Sequence, residues 1–227
     1  MAASWLVLRD SRLVAVREVE VSGASGPQRE AIRIALDTAG RNMTTLHLRP
    51  EALRAAVAPY AVVRDVVAEP DLPNSLRIRV VQHVAVAAID TARGVVPVAG
   101  DGTVLRGSAA VDVPTVPLRR PAPDDRVTDR RTLQTLELLA VAPRPLRRKV
   151  VTAFRGPRGL TVRLAAGPAV HFGSGARVQA KWMALAAVLA SPASRGATTI
   201  DVRVPEHPAA GGLEQRSLQE EEPSSGA

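Results

Sequence analysis

Val62-Val63-Arg64-Asp65-Val66-Val67-Ala68-Glu69, then Pro70-Asp71-Leu72-Pro73-Asn74, then Ser75-Leu76-Arg77-Ile78-Arg79-Val80-Val81, is the stretch whose reading decides the fold. The last run alternates, with Leu76, Ile78 and Val80 on one face and Arg77 and Arg79 on the other. That is the period of a half-buried strand. The first run is rich in Val and also reads as a strand, and the Pro/Asp/Asn link between them is a turn. Strand, turn and strand make a hairpin. Upstream, Pro50-Glu51 starts a helix with Pro in its first turn, striped by Leu53, Ala56, Val57 and Tyr60. From Gln28 to Thr38, Ile32, Ala35 and Leu36 recur at helical spacing. Pro27 is placed to open that helix and Gly40 is expected to close it. Val16-Arg17-Glu18-Val19-Glu20-Val21 alternates again, so the order from residue 16 to 81 is β-α-α-β-β.

Downstream the character changes. Val84 to Ile89 is extended, and Val95–Val98 and Thr103–Leu105 flank the turn Ala99-Gly100-Asp101-Gly102. After the polar, Pro-rich loop Arg119–Arg126, Thr128 or Asp129 caps a helix through Leu133, Leu136, Leu139 and Ala140 that stops before Pro143. Strands are expected at Lys149–Phe154, Leu160–Leu164, Ala169–Phe172 and Thr198–Val204, with a helix over Ala176–Leu189. The fold class is therefore α+β: a β-α-α-β-β domain followed by a mixed β-sheet domain with two helices. Residues 207–227 carry Pro208, Gly211-Gly212 and Glu220-Glu221-Glu222, and their composition predicts a disordered acidic tail.

The chain has 227 residues, 46% of them hydrophobic and only 2% aromatic. Val, Leu, Ile and Ala must build the core. There is no Cys, which excludes a thiolate nucleophile, a Cys-based zinc site and a disulfide framework. The formal charge of +8 is carried almost wholly by Arg, scattered along the chain. No aromatic stacking platform or nucleic-acid motif accompanies those arginines, which argues against nucleic acid as the partner. At the N-terminus, Ala2-Ala3-Ser4-Trp5-Leu6-Val7-Leu8 is too short to cross a bilayer, which needs about 20 apolar residues. Residues 1–13 read as a short apolar strand or lead-in or, since Trp5 followed by Arg9 and Arg12 has the form of an interfacial anchor, as the remnant or end of a membrane anchor, the reading that the resemblance given below implies.

Catalytic patterns are missing. His47, His83, His171 and His207 are not at metal-ligand spacing, and there is no Gly-x-Ser-x-Gly elbow. Gly173-Ser174-Gly175 lacks the Lys and Thr of a phosphate-binding loop and reads as a strand-to-helix turn. Asp124 and Asp125 lie in a Pro-rich loop with nothing to tune them. An enzyme would have to assemble its site from distant residues such as Asp101, His171 and Ser174.

The β-α-α-β-β unit with Val16 to Gly23 resembles a POTRA domain. Across Val63–Pro70, Pro73–Val80 and Val84–Ala87 the chain is similar to the FtsQ/DivIB cell-division family. Asp101-Gly102-Thr103-Val104-Leu105 resembles its next signature, as does Leu160–Leu164 with Gly167, Val170 and Gly173. Lys181 and Leu185 resemble its late helix, and Ile200–Pro205 its closing strand. The likeness covers residues 13 to 207. It departs from the pattern at Gln82-His83-Val84 and in the delayed Pro70.

The resemblance implies a POTRA domain over residues 14–84 and an FtsQ/DivIB-like β domain over 85–206, both outside the cytoplasmic membrane at the division septum. It implies a non-catalytic scaffold, without cofactor or small-molecule substrate, that binds FtsB- and FtsL-like proteins and helps recruit the septal peptidoglycan machinery. The alternative is a POTRA-containing chaperone or a secretion or outer-membrane assembly factor. In the family a partner strand adds beside the C-terminal strand, here read as Thr198–Val204. The implied site is Thr199, Ile200, Asp201, Val202, Arg203 and Val204, with Ile200, Val202 and Val204 on one face and Arg203 placed to meet a partner carboxylate. Arg17, Glu18 and Arg64 are candidate contacts for other division proteins.

Overall fold

The computed structural model describes residues 14–91, 94–118, 125–165 and 167–212. The anchor expected in residues 1–13, Asp124, and the acidic segment from residue 213 lie outside the described residues. Those residues fall into two compact units, drawn from Met1–Val111 with Leu118–Asp129 and from Asp112–Pro117 with Arg130–Ala227.

The first unit opens with β1 (Glu18–Ser22), α1 (Arg29–Arg41), α2 (Pro50–Val57), β2 (Val63–Asp71) and β3 (Ser75–Gln82). The sheet order is β1-β3-β2, with β1 parallel and β2 antiparallel to the central β3. The alternation of β3 does what its sequence requires: Leu76, Ile78 and Val80 are buried and Arg77 and Arg79 exposed. Ile32 and Leu36 of α1 and Leu53 and Val57 of α2 close the core over that face. On the open face Arg77 lies between Asp71, at 2.6 Å, and Glu20, at 3.6 Å.

Gly40 does not end α1, which runs on through Arg41. It is buried inside the helix, and a Cβ built on it would lie 3.1 Å from Val19 Cγ2 and 3.2 Å from Leu76 Cδ2. The missing side chain lets the last turn of α1 approach β1 and β3.

The hairpin β4 (Ala85–Thr91) and β5 (Gly94–Ala99) also belongs to the first unit. The sequence reading placed it in the second domain. Gly107, just beyond it, has a φ of +75° and sits against the Gln28 side chain at the start of α1. Val104 N–H donates to Asp125 O at 3.0 Å, and Val127 N–H to Gly102 O at 2.8 Å. These bonds bring 125–127 into the same unit.

The second unit holds α3 (Arg130–Val141), the single turn α4 (Arg144–Arg147), β6 (Val150–Gly156), β7 (Gly159–Leu164), β8 (Ala169–Gly173), α5 (Val178–Ala190), β9 (Thr199–Asp201) and β10 (Ala209–Gly211). Its sheet order is β10-β9-β8-β7-β6, antiparallel throughout except for β8 and β9, which α5 connects as parallel neighbours. Phe172 and Trp182 are fully buried with ring centroids 4.6 Å apart. Trp182 Nε1 donates to Leu138 O at 2.9 Å, tying α5 to α3 and satisfying the indole N–H.

The closing strand expected over Thr198–Val204 is shorter, and part of the segment expected to be a disordered tail from residue 207 is a strand. β9 ends at Asp201, and β10 lies inside the segment read as disordered.

Candidate functional site

β9 is held on both sides. Its parallel neighbour β8 sets Val170 beside Ile200 and His171 beside Asp201, and Val202 N–H continues the ladder to His171 O at 3.0 Å. On the other side Ala209, Ala210 and Gly211 pair with Asp201, Ile200 and Thr199. The edge that the sequence reading left free is therefore covered by the chain's own next strand. Nothing in Ala-Ala-Gly announces a strand: none of the three is a strand former, and Pro208 precedes them. The short spacing after Pro205 was the available signal.

Of the six expected site residues, Ile200 and Val202 are buried and Thr199 and Asp201 half-buried, while Arg203 and Val204 are exposed. Val204 does not share the face of Ile200 and Val202. The cause is Asp201, whose Oδ1 accepts the Arg203 N–H at 2.9 Å and turns the chain out of the ladder. His207 N–H then donates to Val204 O at 3.1 Å and closes the turn that returns to β10.

Arg203 is already paired. Its Nε donates to Asp201 Oδ2 at 2.8 Å, and its terminal nitrogen lies 2.7 Å from the same oxygen. Its stem lies over Gly173, where a Cβ would come within 2.9 Å of Arg203 Cγ and where φ is +69°. Burial pushes the Asp201 carboxyl up, but the hydrogen bonds from the Arg203 side chain and backbone outweigh it and hold Asp201 below its ordinary range. More than half of the Arg203 side chain stays exposed, so its remaining donors face solvent.

His171 sits beside this pair. Arg158 donates to His171 Nε2 at 3.2 Å, which leaves the proton on Nδ1, 3.3 Å from Thr161 Oγ1. Burial, then the positive charge of Arg158, pushes the imidazole pKa down, which favours the neutral ring. Lys181 in α5 is 3% exposed and donates to Phe172 O at 2.8 Å and Ser174 O at 2.9 Å, fixing the turn between β8 and α5. Across the same turn Arg177 pairs with Glu206, next to Pro205.

The residues of the enzyme alternative serve local structure. Asp101, in the first unit, accepts the Thr103 N–H and lies beside the Thr103 hydroxyl. In the second unit the His171 ring is occupied as described, and Ser174 Oγ accepts the Ala176 N–H at 3.4 Å. Among the described residues no group of three His, Asp or Glu side chains is placed to hold a metal ion. No helix among them is long and apolar enough to cross a membrane. On the first unit, Glu18 is exposed opposite Ser75, Arg17 O accepts from Arg41, and Arg64 is exposed at a register shift between Val63 and Asp65.

Residues 14–83, the β1-α1-α2-β2-β3 unit, match the family described as POTRA domain, FtsQ-type. The cell division protein FtsQ of Mycolicibacterium smegmatis is 29% identical over 208 residues, 91% of this chain. Residues 14–83 thus carry a POTRA domain of the FtsQ type, and the chain as a whole is similar to a cell division protein FtsQ. The chain spans 60% of the length of that curated relative. Among solved structures, the major extracytoplasmic domain of the trans isomer of the cell division protein DivIB from Geobacillus stearothermophilus is 13% identical. That match covers 39% of this chain and 76% of the other, with a TM-score of 0.30.

Proposed function

We propose that the chain is a non-catalytic cell-division scaffold, held at the septal membrane with both units outside the cytoplasm. It binds FtsB- and FtsL-type partners by strand addition and so helps recruit the peptidoglycan-synthesis machinery. The observation that carries this reading is the FtsQ-type POTRA match over residues 14–83, continued by similarity to an FtsQ along 91% of the chain. The second unit supports the mode of binding, because its sheet ends on short strands beside the Asp201–Arg203 pair. Backbone groups along such an edge supply affinity, and the side chains beside it supply specificity. Arg203 contributes the donors that Asp201 leaves unused. Arg17, Glu18 and Arg64 are contacts for further division proteins.

Calorimetric titration of the chain with the extracytoplasmic segment of the FtsB-like protein of the same organism tests the reading. Binding that Arg203→Glu weakens, with circular dichroism unchanged, is the expected result. Absence of binding by the folded chain would sink it. Binding indifferent to Arg203→Glu would keep the scaffold and move its site off the β9 turn.

A further inference from the structure

The two outer edges of the second unit's sheet are closed in different ways. At β6, Thr115 N–H donates to Val151 O at 2.8 Å and Thr115 O accepts from Ala153 N–H at 3.0 Å. Val116 beside it is buried at 3% exposure, so a core side chain pins that cover in place. At β9 the cover is Ala209, Ala210 and Gly211, a strand of three residues that is exposed at its first position and half-buried at the next two. It brings no large side chain to the core. A strand this short, held by a few backbone bonds and little buried area, belongs to the low-stability end of a fold.

The fit of that cover is specific. Ala210 is opposite Ile200 and so shares its face, where Ile200 and Val202 are buried. Gly211 is opposite Thr199, and a Cβ built on it would lie 3.0 Å from Thr199 Oγ1. Gly212 has a φ of +68°, and a Cβ there would collide with Thr198 Oγ1. The position beside Ile200 thus accepts an apolar side chain, and the positions beside Thr199 and Thr198 demand small ones. The acceptor edge is longer than β9 itself. Thr198 N–H donates to Gly211 O at 3.0 Å, so the edge begins one residue before β9.

We propose that Ala209–Gly211 is an exchangeable occupant of a strand-acceptor edge running from Thr198 to Asp201. The partner that displaces it is an extended protein segment, antiparallel to β9, with a large apolar residue opposite Ile200 followed at once by a small residue opposite Thr199. The inference rests on the reading that the chain binds by strand addition, and it deepens that reading. The partner takes the place of β10 and is not added outside it. A side chain larger than Ala opposite Ile200 takes more apolar area of its own out of water than Ala210 does, which favours the exchange.

The full chain has no cysteine, so Thr199→Cys with Gly211→Cys introduces a single possible cross-link, which staples β10 to β9 when oxidised. Gly212→Val, which forces a side chain onto Thr198, loosens β10 instead. Two readouts are taken. The first needs no partner: hydrogen exchange at Thr198 N–H, compared with Val170 in β8. Exchange at Thr198 at least about tenfold faster, slowed by the oxidised staple, is expected for an exchangeable cover. The second is binding of the extracytoplasmic segment of the FtsB-like protein. The oxidised staple is expected to weaken it at least about tenfold, reduction to restore it, and Gly212→Val to strengthen it. A Thr198 amide as protected as Val170, or equal binding by oxidised and reduced forms, overturns the inference while the scaffold stands. Fast Thr198 exchange with no binding by any form keeps the exchangeable edge and sinks the FtsB-type reading.

Discussion

An ammonium group sits almost out of water at Lys181. Burial, then the neighbouring charge of Arg177, pushes its pKa down, yet its two hydrogen bonds to Phe172 O and Ser174 O are what hold the end of β8 against α5. Two effects oppose each other when it is replaced. Lys181→Met removes the cost of burying a charge but leaves two carbonyls without their donor. Hydrogen bonds to charged groups contribute about 1.5–3 kcal/mol, and an orphaned buried acceptor costs a similar amount. The second effect wins, and Lys181→Met is expected to destabilise the chain by about 2 kcal/mol in urea unfolding. An unchanged midpoint would mean that the carbonyls find water. The sequence marks Lys181 only as a polar residue within an apolar helix and as a match to the family's late helix. Its two acceptors lie seven and nine residues away and become neighbours only through the β8–α5 turn, which no local pattern announces.

Elements were legible where one residue pattern served one purpose. The alternation in β3 and the apolar stripes of α1 and α2 predict both structure and core, because burial on one face is what those periods encode. Gly40 shows the limit. A glycine after an apolar stripe has the form of a helix end, but here it is a contact surface for Val19 and Leu76. The two readings predict different mutants. A capping glycine resists any side chain, whereas a packing glycine resists large ones. Gly40→Ala gains about 1 kcal/mol of helix propensity and strains two contacts by a few tenths of an ångström, so it is expected to be near neutral. Gly40→Leu is expected to cost about 2–3 kcal/mol in thermal or urea unfolding, because it overpacks against β1 and β3. Equal losses for both would restore the capping reading. β9 and β10 failed for a related reason. Thr198–Val204 has the alternation of a strand, but the Asp201 side chain competes for the Arg203 backbone, and β10 is recruited by β9 and not by its own composition. The closing strand was thus legible as far as Asp201 and wrong beyond it.

At the scale of the whole molecule, the charge that folding fixes in place determines how the protein responds to acid. His83 in the first unit and His171 in the second both have their pKa pushed below the ordinary 6.5, in each case chiefly by burial. Asp101 lies 4.0 Å from His83 and Asp201 is in register with His171, and each pulls its histidine partly back. Arg64 and Arg126 push against the first imidazole, and Arg158 and Arg203 against the second. Between the lowered folded value and 6.5 the unfolded chain binds more protons than the folded one, so stability rises with pH across that window and falls on acidification. Asp101 and Asp201 act lower down. Their folded values lie below 3.8, so the stability they supply is full above that value and is lost as pH falls through the folded one. The acid limb should therefore have two parts, a shallow fall below about pH 6.5 from the histidines and a steeper one below about pH 4 from the carboxylates. His83→Gln with His171→Gln should flatten the first part and leave the second, as read from urea midpoints between about pH 7 and about pH 3. A first slope that survives both substitutions would place its origin in other groups. If one single substitution carries the whole effect, that substitution identifies the unit that yields first to acid.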